Sequence, residues 1–343
     1  MAFKLKRKLR VIVLVDEGLV PPESIEGLAE EQILPFKNEY DVISTLKRMG
    51  HEVRAVGARN DTGVIRSAVE EFKPQITFNL LVEMHGYSMF EPHVVSYLEL
   101  LKQPYTGCGP RGLMLAHDKA LTKEILAFHR IPVPAFTVFA KNQEVRPSRR
   151  LKFPLLVKSL SEEGSVGISQ ASMVNNEETL RERVEFIHRK TNTHAIAEEY
   201  IEVRELYMAV IGNQRLQTYT PWELVIKNLP EGAPLIATSK IKWDRRYQKK
   251  VGLVTKAADL TPEQRKKFDH VSRRIYRLLS LSGYARLDFR LAEDGTLYLL
   301  EANPNPDISR GEDFAEAAQH SKIGYEELLQ RIMNLGLSYR PSF

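Results

Sequence analysis

Residues 284–306 read YARLDFRLAEDGTLYLLEANPNP, with a run of strand-forming residues on either side of Asp294-Gly295. Asp-Gly is one of the dipeptides that best fit a two-residue type I′ turn. The stretch therefore predicts a tight antiparallel hairpin in which Glu293 pairs with Thr296. This turn would set the register of the two strands that leave it.

The predicted register brings polar side chains together on one face of the hairpin. Counting outward from the turn places Asp288 opposite Glu301 and Arg286 opposite Asn303. Opposed side chains have Cβ atoms roughly 4.5–5.5 Å apart, where like charges destabilise, so the two carboxylates need a cation. Carboxylate and amide oxygens are ligands that suit Mg²⁺. The alternative is an ordinary surface hairpin whose carboxylates are solvated or paired with Arg286 and Arg290.

Length and cysteine content limit the class of protein. The chain has 343 residues, enough for two or three domains with a buried core. Cys108 is its only cysteine, which excludes an intramolecular disulfide and a cysteine-based zinc site within one chain. The apolar run Val11–Val15 behind a basic start is too short for a signal-peptide core or a membrane span. A cytoplasmic protein that does not enter a membrane is therefore expected.

The charge balance points to small anionic ligands. The formal net charge is +5, from 49 basic and 44 acidic residues. Such an excess suits nucleotide phosphates, but the basic residues are spread along the chain and no nucleic-acid motif is present. Nucleic-acid binding is therefore not expected.

Short apolar strands alternate with amphipathic helices from Arg10 to about Gly109. The predicted elements are strand Val11–Val15, helix Tyr40–Met49, strand His51–Val56, helix Gly63–Phe72, strand Gln75–Leu80 and helix Pro92–Leu101. This alternation is typical of a Rossmann-like parallel sheet with crossover helices. Residues 16–22, after the first strand, lack the Gly-x-Gly-x-x-Gly phosphate loop, so a nucleotide is expected to bind elsewhere.

A glycine-rich run at Gly107–Gly112 is interpreted as a domain boundary. Beyond it, strand Phe153–Lys158 would deliver Lys158 to a loop of small residues, 159–167, whose backbone N–H groups can approach an anion. A plain surface turn is the alternative for this loop.

The rest of the chain is predicted from the same patterns. The elements are helix Glu177–Arg189, strand Ala195–Ile201, a hairpin of Leu206–Ile211 and Arg215–Tyr219, helix Pro262–Leu281 closed by Gly283, and helices near Phe314–Gln319 and Tyr325–Leu335. Segment Pro221–Thr255 has little periodicity and many basic residues, which favours a functional loop such as a lid.

Several short motifs stand in an order found in one known superfamily. They are Pro104–Gly107, Asp118-Lys119, Val157-Lys158 with Glu162–Gly167, Arg286–Asp288 and Leu300–Asn303. With them the sequence resembles the ATP-grasp superfamily, most closely its D-alanine–D-alanine ligase-like branch. The resemblance implies a mixed α/β (α+β) fold with an N-terminal Rossmann-like parallel-sheet domain and two α+β lobes that enclose ATP. The expected domains are residues 1–111, residues 112–199 for the central lobe and residues 200–343 for the C-terminal lobe.

The resemblance also implies an ATP site. The residues expected there are Lys119, Lys158, Ser165, Glu198, Glu199, Tyr200, Ile201, Glu205 and Lys242. The three lysines would contact the phosphates. Glu198, with the backbone of Tyr200 and Ile201, would contact adenine, and Glu205 would contact the ribose. Lys240 rivals Lys242 for the lid position, and a merely solvated side chain is the alternative for Lys119.

Catalytic and metal roles follow from the same resemblance. Asp288, Glu301 and Asn303 match ligands of Mg²⁺ or Mn²⁺, with two ions expected. Arg286 matches the arginine that stabilises an acyl phosphate, and Lys242 would assist at the phosphates. Ser165 would orient a substrate rather than act as a nucleophile.

The implied reaction joins a small-molecule carboxylate to an amine, such as an amino acid or peptide, in a protein that is often a homodimer. The substrate candidates are His85, Glu91, Arg310 and Glu312. A buried structural histidine is the alternative for His85. Glu312 stands where the family has a serine that holds the acceptor carboxylate, so an acceptor other than D-alanine is predicted. The alternatives are a phosphotransferase that acts on a non-carboxylate acceptor and a non-catalytic ATP-binding protein.

Overall fold

The computed structural model describes residues 8–146, 151–162, 168–228 and 245–341. The α-helices in these ranges are α1 (Glu30–Ile33), α2 (Lys37–Arg48), α3 (Gly63–Phe72), α4 (Glu91–Leu100), α5 (Pro110–His117), α6 (Lys119–Phe128), α7 (Glu177–Thr191), α8 (Arg245–Val251), α9 (Pro262–Leu278), α10 (Asp313–His320) and α11 (Tyr325–Ser338). None of the helices in the described ranges is long and apolar enough to cross a membrane.

The N-terminal sheet is parallel, as the alternating pattern predicted. Its strands are β1 (Arg10–Asp16), β2 (Glu52–Ala58) and β3 (Ile76–Asn79), in the order β2-β1-β3. Residues 11–15 of the middle strand are buried on both faces, as expected for a parallel strand covered by helices. Asp16 ends this strand and therefore lies at the carboxyl edge, where open α/β sheets bind ligands.

A second sheet is antiparallel and has its own core. Its strands are β4 (Phe136–Phe139), β5 (Leu155–Ser159), β6 (Met173–Val174) and β7 (Ala195–Glu199), in the order β4-β7-β5-β6. Helix α7 packs Leu180, Val184 and Ile187 against it. The side chains of this cluster all come from the central part of the chain.

The third sheet is antiparallel and carries the predicted hairpin. Its strands are β8 (Arg204–Ile211), β9 (Gln217–Thr218), β10 (Trp222–Ile226), β11 (Leu253–Ala257), β12 (Tyr284–Leu291) and β13 (Leu297–Pro304). The order is β11-β10-β8-β12-β13, with β9 beside β8. The mixed fold with a parallel N-terminal sheet and two antiparallel sheets, expected for an ATP-grasp protein, is confirmed.

The prediction of one long loop over Pro221–Thr255 is wrong at both ends. Strand β10 pairs with β8 and β11, and α8 precedes β11. These strands form because long-range pairing gives them partners, which local periodicity does not reveal. Residues 229–244, the middle of this segment, lie outside the described residues.

The N-terminal and C-terminal sheets share their cores. One cluster joins Leu14 of β1 to Phe289 of β12, and another joins Val13 of β1 to Tyr284 of β12. Helix α9 ends at Leu278, three residues earlier than predicted, and Gly283 instead lies just before β12 with φ +67°. A Cβ at Gly283 would collide with the backbone of Gly107, so the predicted domain boundary packs directly against this strand.

The hairpin turn differs from the prediction by one residue. Ala292, not Glu293, closes the loop with Thr296, and Gly295 adopts φ +77°. This is a three-residue loop with a left-handed glycine, rather than a two-residue type I′ turn. A β-bulge at Leu300 then inserts one further residue into β13, and the shift between Asp288 and Phe289 cancels that of the turn.

Candidate active site

The hairpin brings the predicted polar side chains together. Asp288 lies opposite Glu301, and Arg286 lies opposite Asn303, as the sequence predicted. The Arg286 guanidinium donates from Nε and Nη2 to both oxygens of Asp288, at 2.8 and 2.9 Å. Asn303 Nδ2 donates to the same carboxylate at 3.0 Å. Asp288 is buried rather than solvated, and its pairing with Arg286 is the one that the alternative of an ordinary hairpin also predicted.

The donor set of this face fits Mg²⁺. Two opposed carboxylates and one amide are hard oxygen ligands, the type that Mg²⁺ prefers. No group of three His, Cys, Asp or Glu side chains forms a metal site among the described residues. The predicted site therefore depends on Asn303 as its third ligand.

Arg286 is held in place on several sides. Its guanidinium carbon lies 4.8 Å from the centroid of the Tyr207 ring, and Nη1 lies 3.9 Å from Asp313 Oδ2. Burial alone would lower the pKa of Arg286, but the neighbouring Asp288 carboxylate raises the pKa above its ordinary value. The arginine is thus a fixed cation, suited to stabilising negative charge that develops beside it.

Two of the predicted phosphate lysines are buried and make polar contacts. Lys158 Nζ lies 3.1 Å from Glu198 Oε1, and both side chains are buried. Lys119 Nζ donates to the carbonyl of Glu162 at 2.7 Å, so it reaches the loop that follows β5. The solvated alternative for Lys119 is wrong, since the residue is only 6 % exposed.

Lys123 is a buried lysine that the sequence analysis did not single out. It lies one turn after Lys119 on α6 and is fully buried. Its Nζ lies 3.3 Å from Glu198 Oε1 and donates to the Leu300 carbonyl at 2.5 Å. Burial lowers the pKa of Lys123 to about 8, with Glu198 acting in the opposite direction. Its i+4 spacing from Lys119, on the buried face of an amphipathic helix, is the signal that could have found it.

Backbone hydrogen bonds after β7 show which N–H groups of the predicted adenine residues are already used within the fold. The N–H of Glu199 donates to Ala135 O at 2.8 Å, and the N–H of Tyr200 donates to Pro154 O at 3.0 Å. No backbone hydrogen bond is formed by the N–H of Ile201 within the described part of the chain. The Tyr200 N–H therefore secures the turn itself, and the adenine contact of Ile201 stays a prediction.

The predicted ribose residue, Glu205, lies in a buried ion pair. Its Oε2 accepts from Arg290 Nη2 at 2.7 Å, and its Oε1 accepts from the Tyr207 hydroxyl at 2.9 Å. Arg290 also donates to the Val203 carbonyl at 2.8 Å. Each carboxylate oxygen keeps a second lone pair, so this pairing orients Glu205 without consuming its capacity to accept a hydroxyl.

Two of the substrate candidates occupy very different places. His85 is exposed, with φ +55°, so the alternative of a buried structural histidine is wrong. Glu91 is 2 % exposed and accepts from Asn305 Nδ2 at 2.7 Å, while its other oxygen lies 2.8 Å from His117 Nε2. Glu91 therefore fastens the loop after β13 to the N-terminal domain.

The other two substrate candidates lie on that loop, residues 305–312. The Arg310 guanidinium stacks over Tyr325 at 4.1 Å and donates to Thr45 Oγ1 at 3.2 Å. These contacts fasten Arg310 to neighbouring helices. Glu312 is half-buried and directly precedes α10.

Ser165, Lys242 and its rival Lys240 lie outside the described residues. Their predicted roles stay predictions. The described residues on either side of Ser165 are Glu162 and Ile168, and the Glu162 carbonyl accepts from Lys119.

Comparison with known proteins identifies the family. Residues 125–334 match the family described as "D-ala D-ala ligase C-terminus". D-alanine–D-alanine ligase B of Chromobacterium violaceum is 30% identical over 309 residues, covering 90% of this chain and 94% of the relative. The D-alanine–D-alanine ligase of Carboxydothermus hydrogenoformans is 26% identical, covering 92% and 97%.

A solved structure agrees in fold. The D-alanine–D-alanine ligase of Bacillus anthracis, complexed with ATP, superposes with a TM-score of 0.74 at 20% identity, covering 96% of this chain and 97% of that chain. Its sheets and those described above share one architecture. The chain therefore belongs to the D-alanine–D-alanine ligase family of ATP-grasp enzymes, which form carbon–nitrogen bonds.

Proposed function

We propose that this protein uses ATP to join the carboxylate of one small molecule to the amine of another through an acyl phosphate, releasing ADP and phosphate. The observation that carries the proposal is the hairpin face on which Arg286 and Asn303 hold Asp288 opposite Glu301. ATP binding alone does not require an arginine fixed beside two opposed carboxylates. Transfer of a phosphoryl group to a carboxylate does require that concentration of charge.

The chain's own residues position the reactants. Lys119 and Lys158 would bind phosphate oxygens, and Glu198 and Ile201 would orient the adenine. Asp288, Glu301 and Asn303 would hold Mg²⁺, which neutralises phosphate charge. A substrate carboxylate oxygen attacks the γ-phosphorus and ADP leaves. The amine nitrogen then attacks the acyl carbon, phosphate leaves, and the proton lost by the amine is balanced on the phosphate.

Arg286 is the main electrostatic group for both steps. Its guanidinium is already ordered by Asp288 and Tyr207, so it needs no reorganisation when negative charge develops on the acyl group. Ser165 and Lys242 are proposed to complete the site, as a substrate-orienting donor and a phosphate contact.

The second substrate is proposed to be an amine other than D-alanine, with a cationic group or a larger amino-acid or peptide body. Glu39 is buried, and its pKa is raised to about 7 by burial and by the charges of Asp307 and Asp16. The Asn38 side chain, beside Glu39, accepts from the N–H of Ile308 at 3.3 Å, so α2 lies against loop 305–312. With Asp307 and Glu312 on the same loop, the negative charge near Glu39 favours a cation and disfavours a free carboxylate.

The names of the matched relatives provide the competing candidate. Both sequence relatives are named D-alanine–D-alanine ligases. D-Alanine as the acceptor is therefore the alternative that an assay must test first.

The experiment measures ADP and phosphate release with Mg²⁺ and ATP across D- and L-amino acids, dipeptides and polyamines, with mass spectrometry of the products. Amine-dependent ADP release with a new amide mass is expected. Efficient D-alanyl-D-alanine formation would overturn the proposed acceptor class but not the ligase.

Controls separate the remaining alternatives. Asp288→Asn should abolish turnover, whereas Glu293→Gln, an exposed change in the turn of the same hairpin, should leave it intact. A stable phosphorylated product without amide would indicate a phosphotransferase. ATP binding that no substrate converts to turnover would indicate a non-catalytic protein.

A further inference from the structure

Lys123 contacts both antiparallel sheets at once. Its ammonium lies 3.3 Å from Glu198 on β7 of the central sheet and donates to the carbonyl of Leu300 on β13 of the C-terminal sheet. The side chain is fully buried. A buried ammonium is costly unless it is paired and hydrogen-bonded, so this placement depends on both contacts.

The contact with Leu300 falls at a sensitive point of the hairpin. Leu300 is the inserted residue of the bulge, and a bulge locally disrupts the ladder. The next residue is Glu301, which the bulge places opposite Asp288. A donor on the Leu300 carbonyl therefore acts one residue away from a candidate metal ligand.

Neutralising the charge of Glu198 does not by itself explain why Lys123 is buried beside it. Lys158 already lies 3.1 Å from the same carboxylate oxygen. Burial alone would raise the pKa of Glu198, and the two ammonium groups lower it below its ordinary value. Lys123 differs from Lys158 because it also donates a hydrogen bond to the C-terminal sheet.

We propose that Lys123 is a positioning residue. It links Glu198 to the bulge at Leu300 and thereby holds the predicted adenine site and the metal-ligand hairpin at a fixed distance from each other. That the two ligands are ATP and a metal ion rests on the proposed function, but the link that Lys123 makes between the two sheets does not. Loss of the ammonium releases both ends, and nucleotide and metal affinity then fall together.

The test compares Lys123→Met, which keeps the chain length without the charge, with Glu124→Gln, an exposed change on the same helix. Electron paramagnetic resonance measures Mn²⁺ binding, and steady-state kinetics give the KM for ATP and kcat. Hydrogen exchange measures local opening of the backbone. Lys123→Met is expected to weaken Mn²⁺ binding about 10- to 100-fold and to raise the KM for ATP more than it lowers kcat. Amide exchange in residues 297–304 and 195–199 should accelerate together, and by more than in the N-terminal strand of residues 10–16.

A purely structural role would lower the melting temperature and speed amide exchange throughout the core, but would leave both affinities as in the wild type, which would overturn the proposal. A change in only one affinity would overturn it as well. If the wild type binds no Mn²⁺ or ATP, the proposed function fails, and the exchange experiment alone decides whether Lys123 ties the sheets. Lys123→Gln, which keeps an N–H donor, replaces the methionine variant if that variant does not fold.

Discussion

The carboxylates of the predicted nucleotide site differ from Glu39, which lies at the acidic end of the site near loop 305–312. Glu198, Asp288 and Glu205 each contact a lysine or arginine, at 3.1, 2.8 and 2.7 Å respectively. Glu39 is buried without a cation partner among the described residues, and burial raises its pKa to about 7. The first group is thus held charged before any ligand arrives, whereas Glu39 readily takes up a proton. Under the proposed function, nucleotide and metal would bind at the charged residues and the acceptor amine would be selected at the acidic end.

The largest expected effect comes from removing the fixed cation of the hairpin. Arg286→Met should lower kcat about 10²- to 10³-fold, because a preorganised charge is lost and Asp288 keeps no guanidinium partner. Arg286→Lys, which retains charge without the two-pronged geometry, should recover part of the loss. Steady-state kinetics in the identified substrate pair measures both, and equal loss in the two variants would contradict the role of geometry.

The next effect is expected on nucleotide affinity. Lys158→Met should raise the KM for ATP about 10- to 100-fold with a smaller change in kcat, since a charge-assisted contact to phosphate is lost. Lys190→Met, an exposed change on α7, is the matched control. An unchanged KM for ATP would show that Lys158 serves only to neutralise Glu198.

A smaller effect, of opposite sign, is expected at the acidic end. Because the folded-state pKa of Glu39 is about 7 instead of 4.5, the folded protein holds a proton that the unfolded chain releases. Stability is therefore lost as the pH rises from about 4.5 through 7, by up to about 3 kcal/mol. Glu39→Gln removes this dependence, so thermal denaturation should show a gain of a few degrees at pH 8 and little gain at pH 5. A loss of stability at pH 8 would reveal a cation partner for Glu39.

The smallest effect is expected for Arg310. Because its guanidinium stacks on Tyr325 and bonds Thr45, Arg310→Ala should lower stability by about 0.5–1 kcal/mol and leave the KM of the amine unchanged. Chemical denaturation and substrate kinetics measure the two quantities. A large rise in that KM would return Arg310 to the substrate site and weaken the contrast between the two ends.

Local sequence patterns predicted most of the fold, but contacts between residues distant in sequence could be identified only from the structure. Alternation in residues 10–101 predicted the parallel sheet, because strand and helix periodicity are properties of neighbouring residues. Strands β10 and β11 were missed, because their pairing partners are distant in sequence. Lys123 was missed for the same reason, since Leu300 is 177 residues away. Glu91 was chosen by resemblance, and only the structure shows its bonds to His117 and Asn305.

The opposition of Asp288 and Glu301 was predicted correctly, but for an incomplete reason. The two-residue turn assumed by counting does not occur, and the bulge at Leu300 restores the register that the longer turn displaces. The longer turn takes one extra residue from the β12 side, and the bulge leaves one residue of β13 unpaired, so their effects on the register cancel.

That arrangement decides where this hairpin can change in length. The third loop residue and Leu300 have no partner in the ladder, so deletion of either one would leave Glu301 opposite Asp288. Both deletions together would give a regular hairpin with a two-residue turn and the same opposition. Natural or engineered variants that retain activity should therefore gain or lose single residues at these two places more readily than within the paired parts of the strands.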